Sequence, residues 1–281
     1  MSLFRSKRDS YAVFGNPIRH SKSPQIHSLF AAQTGEPVKY RAHRVHEHKF
    51  AQAARQFFKN GGRGLNVTVP FKVDAFEFAD VLSIRAREAG AVNTLALQED
   101  GEIYGDNTDG VGLVRDMHDN LGWDIQNKRI LLLGAGGAIR GVLGPLLRQN
   151  PSHVVISNRT VERAQTLARQ FGANGKVRAC SYESLRSNQY DLVINGTSAS
   201  LEGELPPLPD QLLSDEACCY DMMYSAEPTP FMRWAASEAA WAVSDGLGML
   251  VEQAAESFCI WRGVRPDTHE VIDTIRASLQ P

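Results

Sequence analysis

Asn66, Thr68 and Lys72 cluster at the end of an alternating segment, and Asn93, Asn107 and Asp109 fall at later strand ends or loops. Taken singly, each reads as well as a turn residue or a satisfied cap. Together they offer hydroxyl-binding groups, one cation and one carboxylate. That set suits a small polyhydroxylated acid better than an apolar ligand.

A second group is built for phosphate. Gly134-Ala135-Gly136-Gly137-Ala138 directly follows the apolar run Ile130 to Leu133 and precedes a helical pattern, so the amides of a helix N-terminus would meet a pyrophosphate there. The sixth position of G-x-G-x-x-G is Ile139 rather than Gly or Ala, which leaves open a tight βα turn of a flavodoxin-like domain. An NAD site normally places Asp or Glu about 20 residues on, at the end of the next strand. That end reads Ser157-Asn158-Arg159-Thr160, with Arg159 in the acid's place and Arg163 one turn into the following helix. An additional phosphate is the better partner for two guanidiniums, which favours NADP over NAD. The alternative is a solvated arginine pair at a helix start.

Other tempting features carry less. Asn66-Val67-Thr68 is a glycosylation sequon, but it lies in an apolar strand with no signal peptide before it. His43, His46 and His48 match no standard metal spacing and read as a solvated face, and no metal is expected. Gly61-Gly62-Arg63-Gly64 lacks the Gly-Lys-Ser/Thr end of a P-loop. Cys180, Cys218, Cys219 and Cys259 show no C-x-x-C spacing and fit reduced thiols of a cytoplasmic protein. Across 281 residues, 30 Lys plus Arg against 32 Asp plus Glu leave a net charge of -2, without the global positive field of a nucleic-acid binder. The longest nearly apolar stretch, Ile130 to Ile139, is far short of the roughly 18 to 20 residues that span a bilayer.

These groups need a scaffold, and at 43% hydrophobic and 22% charged the chain can build one. Met1 to Asp9 reads as a frayed extension. Tyr11 to Phe14 reads as a strand, and Ser23 as the cap of a helix with Pro24 at its first position and Gly35 past its end. Val38 to Val45 forms a second strand, and a helix follows with Phe50, Ala54 and Phe57 toward the core. Gly64 to Pro70 alternates strictly, so Leu65, Val67 and Val69 share one face while Asn66 and Thr68 point away from the core. A helix from about Ser83 to Ala89, the segment Ala91 to Leu97 and a turn at Asp100-Gly101 complete this region.

From Arg129 the runs are of the doubly buried kind: Ile130 to Leu133, Val154 to Ser157, Val177 to Cys180, Asp191 to Asn195, Cys218 to Met222 and Ala242 to Ser244. With helices such as Val161 to Phe171 between them, they spell a doubly wound parallel sheet. Leu201 to Asp210 is a proline-rich surface excursion, and Asp267 with Glu270 reads as a capping box for the last helix. The expected organisation is α/β in two domains. Residues 1–109, completed by helices in 247–281, form a substrate-binding catalytic domain, and 110–246 a Rossmann-type dinucleotide domain.

Five stretches in order carry a resemblance: Phe14-Gly15-Asn16-Pro17 with His20-Ser21-Lys22-Ser23-Pro24, then Asn66-Val67-Thr68-Val69-Pro70-Phe71-Lys72, Gly90-Ala91-Val92-Asn93-Thr94, Gly105-Asp106-Asn107-Thr108-Asp109-Gly110 and Asp245-Gly246-Leu247-Gly248-Met249-Leu250. From Tyr11 to about Leu279 the chain resembles the shikimate dehydrogenase family. The resemblance implies an NADP-dependent, reversible reduction of 3-dehydroshikimate to shikimate, in chorismate and aromatic amino acid biosynthesis, with an active site between the domains. It puts carboxylate-binding serines at Ser21 and Ser23 and substrate-hydroxyl contacts at Asn66, Thr68, Asn93 and Gln253, with Tyr224 nearby. Lys72 and Asp109 become the catalytic pair. Cofactor contacts fall on Gly134, Gly136, Gly137, Ala138, Asn158, Arg159, Thr160 and Arg163, and around Thr197, Met222 and Gly246. Two positions depart from the family's habit, Gly196 where Ala is common and Ile139 where Ser is common. The implied protein is a cytoplasmic monomer or homodimer acting on a small molecule, with no nucleic-acid or membrane partner. A broad-specificity quinate/shikimate dehydrogenase shares most of these residues, and a catalytically silent NADP-binding module would not need to keep both Lys72 and Asp109.

Overall fold

The β-rich runs form two separate six-stranded sheets in the computed structural model, which describes residues 8–172, 176–185, 189–197, 199 and 203–280. Most of the extension expected at Met1 to Asp9 lies outside the described residues, as do Leu201 and Glu202 of the proline-rich excursion. The chain divides into two compact units, one running up to Asp109 and resuming over Val251–Ser278, the other spanning Gly110–Leu250.

The first unit holds strands β1 (Asp9–Gly15), β2 (Val38–Arg44), β3 (Gly62–Val67), β4 (Val81–Leu82), β5 (Thr94–Leu97) and β6 (Ile103–Asp106), in the order β2-β1-β3-β5-β6-β4. The β1–β2 and β1–β3 pairs are parallel, whereas β5 runs antiparallel to both β3 and β6. Helices α1 (Ser23–Thr34), α2 (Phe50–Lys59), α3 (Lys72–Phe78) and α4 (Ile84–Ala89) come from this part of the chain. The later helices α9 (Leu247–Arg262, from Val251 onward) and α10 (His269–Ala277) complete it. Phe14, Phe50, Ala54, Leu65, Val67, Phe71 and Leu95 fill one core.

The other face of this sheet is also covered, by aromatic packing of Tyr11 against Trp261 (ring centroids 4.8 Å apart) and Phe30 against Phe258 (5.8 Å). Gly64 permits that approach, because a Cβ there would lie 2.3 Å from Nε1 of Trp261. Asn66 therefore points away from Leu65 and Val67, as alternation requires, but is only 6% exposed. The strand stops at Val67 rather than Pro70, because the chain turns after Thr68, with Phe71 donating its N–H back to the carbonyl of Thr68 (3.0 Å).

Two caps differ from expectation. Lys22 holds the N-cap of α1 and Ser23 is its first residue, because the Ser21 hydroxyl accepts the Ser23 N–H (3.3 Å). At α10 the N-cap is Thr268, while Asp267 accepts from the N–H of His269 (2.9 Å) in place of a box with Glu270.

The second unit is wholly parallel: β7 (Arg129–Leu133), β8 (His153–Ser157), β9 (Val177–Cys180), β10 (Tyr190–Asn195), β11 (Leu213–Asp221) and β12 (Ala242–Ser244), ordered β12-β11-β10-β7-β8-β9. Helix α5 (Asp109–Arg115), continued by a π turn over Asp116–Asn120, joins α6 (Gly137–Leu147) and α7 (Val161–Phe171) around one core with Ile130, Leu132, Ile156 and Ile194. Helix α8 (Pro230–Ser237) packs on the opposite face with Leu131, Leu133, Val193 and Cys219. Helices on both faces make this the doubly wound sheet expected of the middle third.

Candidate active site

The C-terminal ends of β1, β3 and β6 and the start of α3 bring one set of side chains together. Lys72 is the first residue of α3, not the end of a strand as its spacing predicts, and its Nζ donates to Oδ2 of Asp109 at 2.5 Å. Lysine keeps 31% of its side-chain surface and the aspartate 12%, so the pair is half-sheltered yet reachable. The second oxygen of Asp109 accepts from Nδ2 of Asn93 (2.7 Å). That amide also reaches Thr108 Oγ1 (2.9 Å) and Gln253 Oε1 (3.3 Å). Its orientation is fixed from the other end, where Asn93 Oδ1 accepts from the N–H of Thr108 (2.9 Å) and the hydroxyl of Thr94 (2.9 Å).

Asn66 stands deeper. Its Oδ1 accepts from the Tyr40 hydroxyl (2.7 Å) and from Nε2 of His27 (3.1 Å), while Nδ2 donates to Ser257 Oγ (3.0 Å) and Thr94 Oγ1 (3.2 Å). His27 is fully buried against Tyr40, its ring 4.2 Å away and stacked, and burial drives its pKa down to about 3. It is a neutral donor to Asn66. Ser21, Thr68 and Gln253 are each partly exposed.

Residue type and spacing alone do not single out His27, Tyr40, Thr94 or Ser257. One signal was available: His27 follows Ile26 on the buried face of α1.

In the second unit the expected cofactor residues gather at the C-terminal edge of the parallel sheet, where open α/β sheets bind ligands. Gly134 leaves β7 with φ +102° and donates its N–H to the carbonyl of Ser157 (2.8 Å). Gly136 caps α6, and a Cβ on Gly136 or Gly137 would meet nothing within 4 Å. That open cradle of amides at a helix start fits a pyrophosphate. Strand order reverses between β7 and β10, so Gly134 on one side and Gly196-Thr197 on the other flank the switch point.

Asn158 Nδ2 donates to the carbonyl of Thr160 (2.8 Å), shaping the turn that exposes Arg159, and Arg163 is exposed on α7. Neither guanidinium forms an ion pair among the described residues. Thr197 Oγ1 donates to Asn195 Oδ1 (2.7 Å). Gly246 donates to the carbonyl of Met223 (3.0 Å), and a Cβ on it would lie 2.3 Å from the carbonyl oxygen of Met222. Tyr224 is half-buried just beyond β11, and burial raises its pKa. His43, His46 and His48 are all exposed.

Three family models match in chain order: the shikimate dehydrogenase substrate binding domain over residues 13–95, shikimate / quinate 5-dehydrogenase over 116–202, and the shikimate 5'-dehydrogenase C-terminal domain over 246–276. The chain belongs to the shikimate dehydrogenase family. A relative from Cellvibrio japonicus named shikimate dehydrogenase (NADP(+)) is 59% identical over 271 residues, covering 96% of this chain and 98% of the relative. Among solved structures, the Ael1 enzyme from Pseudomonas putida superposes with a TM-score of 0.91 at 46% identity, over 97% of this chain and 98% of that one. Shikimate 5-dehydrogenase from Thermus thermophilus, solved in complex with NADP(H) and shikimate, gives 0.86 at 33% identity over 96% and 100%. No helix among the described residues is long and apolar enough to cross a membrane.

Proposed function

We propose that this chain is an NADP-dependent oxidoreductase that interconverts 3-dehydroshikimate and shikimate, with Lys72 and Asp109 as its catalytic pair. The observation that carries the reading is the 2.5 Å Lys72–Asp109 contact, held from behind by Asn93 and ringed by hydroxyl-binding side chains. The relatives, named shikimate dehydrogenase (NADP(+)) at 51–59% identity over about 96% of the chain, supply the substrate and cofactor.

Gly134, Gly136, Gly137 and Ala138 hold the pyrophosphate, and Asn158, Arg159, Thr160 and Arg163 take the additional phosphate. Thr197, Met222 and Gly246 line the remainder. When bound, NADP supplies the two-electron hydride chemistry. The protein's own task is to bind, orient and move one proton. In reduction, the Lys72 ammonium stabilises negative charge growing on the ketone oxygen and donates a proton to it, and in oxidation it removes the hydroxyl proton. Asp109 holds Lys72 and a substrate hydroxyl in place. Ser21 and Ser23 receive the substrate carboxylate, and Asn66, Thr68, Asn93, Tyr224 and Gln253 its hydroxyl-bearing ring. The reading is of a cytoplasmic enzyme on the route to chorismate.

The test is the near-ultraviolet absorbance of reduced nicotinamide with shikimate or quinate, each paired with NADP or NAD. Rapid reduction with shikimate and NADP alone is expected. Comparable rates with quinate or NAD move the chain to the broad-specificity relatives, and silence in every pairing overturns the reading.

A further inference from the structure

Asp106 is a buried carboxylate, 1% exposed, three residues before Asp109, and the chemistry above does not use it. Its Oδ1 accepts from the N–H of Asn107 (2.7 Å), the Ser83 hydroxyl (2.5 Å) and Nε of Arg85 (3.1 Å), and its Oδ2 pairs with Nη2 of the same arginine. The remaining arm of that guanidinium, Nη1, donates to Oε1 of Glu256 on α9 (3.1 Å). Glu256 is held in turn by Nη2 of Arg265 (2.5 Å). One planar group thus joins the end of β6 to the middle of α9.

Both ends of this clamp lead into the candidate site. Beyond Asp106 the chain continues as Asn107-Thr108-Asp109, where Asn107 Oδ1 accepts from the Asp109 N–H (3.2 Å) and Thr108 Oγ1 donates to the carbonyl of Gln253 (3.0 Å). Gln253 lies one helical turn before Glu256 and shares Asn93 Nδ2 with Asp109.

We infer that Arg85 is a positioning residue for the reaction: it sets where Asp109 stands relative to Gln253 by tying their two elements to one guanidinium. The inference rests on the reading of Lys72 and Asp109 as the reacting pair. A lysine in its place keeps the charge but cannot serve three acceptors lying in the plane of a fork. Positioning matters at this scale, since misplacement by about 1 Å can cost about a hundredfold in rate.

The test compares Arg85→Lys and Glu256→Gln with wild type in the full chain, measuring kcat, the shikimate KM, NADP affinity by fluorescence and the thermal midpoint. For Arg85→Lys, kcat falls about tenfold or more and the shikimate KM rises, while NADP affinity stays at the wild-type value. Glu256→Gln, which leaves the Asp106 pair intact, shifts the shikimate KM in the same direction by less. A purely structural role would lower the midpoint and leave the folded enzyme's kcat and KM alone. Folded variants with both constants within about twofold of wild type would overturn the inference. If Arg85→Lys does not fold, Glu256→Gln decides. A Lys72→Ala control that keeps its turnover brings down the catalytic-pair reading instead, whatever the Arg85 variants do.

Discussion

A Cβ atom at Gly196 would lie 2.4 Å from Cδ1 of Ile139 and 2.7 Å from its Cγ1, so the fully buried isoleucine fills the space that glycine leaves. The structure joins these two residues into one packing unit beneath the Gly-rich turn. Gly196→Ala in the wild-type background is expected to cost about 1–3 kcal/mol by overpacking. With Ile139→Ala present, the same change should cost less, with a coupling energy of about 0.5–3 kcal/mol. Urea denaturation of the four proteins in the cycle measures it, and strict additivity would refute the coupling.

Lys72→Ala should lower turnover by about 10² to 10⁴, the range for losing a positioned proton donor, while shikimate still binds. Calorimetric binding beside steady-state rates separates the two effects. Near-normal turnover, or loss of binding alone, would remove Lys72 from the chemistry.

Arg159→Ala should weaken NADP binding about 10- to 100-fold and leave NAD binding nearly unchanged, because only NADP offers the additional phosphate to the exposed guanidinium. Titration of each cofactor against protein fluorescence checks this. Equal losses for both cofactors would place Arg159 on a part of the dinucleotide that they share.

What the sequence made legible follows from how local each determinant is. Helix α7 and strand β12 have the bounds that their periodicity predicts, Val161–Phe171 and Ala242–Ser244. Both are set by short-range patterns on a sheet covered on both faces. The alternation runs on to Val69 and so predicts a strand end at Lys72, yet the chain turns after Thr68 and α3 begins at Lys72 itself. The burial of Asn66 depends on α9, nearly 200 residues away in sequence, returning to place Ser257 3.0 Å from its amide. No window around Asn66 contains that information. The same holds for Arg85, whose partner Glu256 lies 171 residues along the chain.

His27 gives the protein a defined acid sensitivity. Burial lowers its pKa to about 3, and its ring is held neutral as a donor to Asn66 Oδ1. The unfolded chain would bind a proton at this histidine below about pH 6.5, whereas the folded chain does not until about pH 3. Over that interval the unfolded state carries the additional proton, so stability falls as pH falls, by about 1.4 kcal/mol per pH unit for this one group. Asp191, lowered to about 2 by Arg129, contributes stability that is lost only as pH falls below its ordinary value near 3.8, a separate and more acidic window. Denaturation between about pH 6.5 and 4.5 therefore lies outside the window of Asp191, and the comparison with a His27 variant reads the contribution of this one ring. His27→Gln keeps a donor toward Asn66 and removes the titration, so its stability should decline with a slope smaller by about one proton. A variant that retains the wild-type slope would show that the acid sensitivity arises elsewhere.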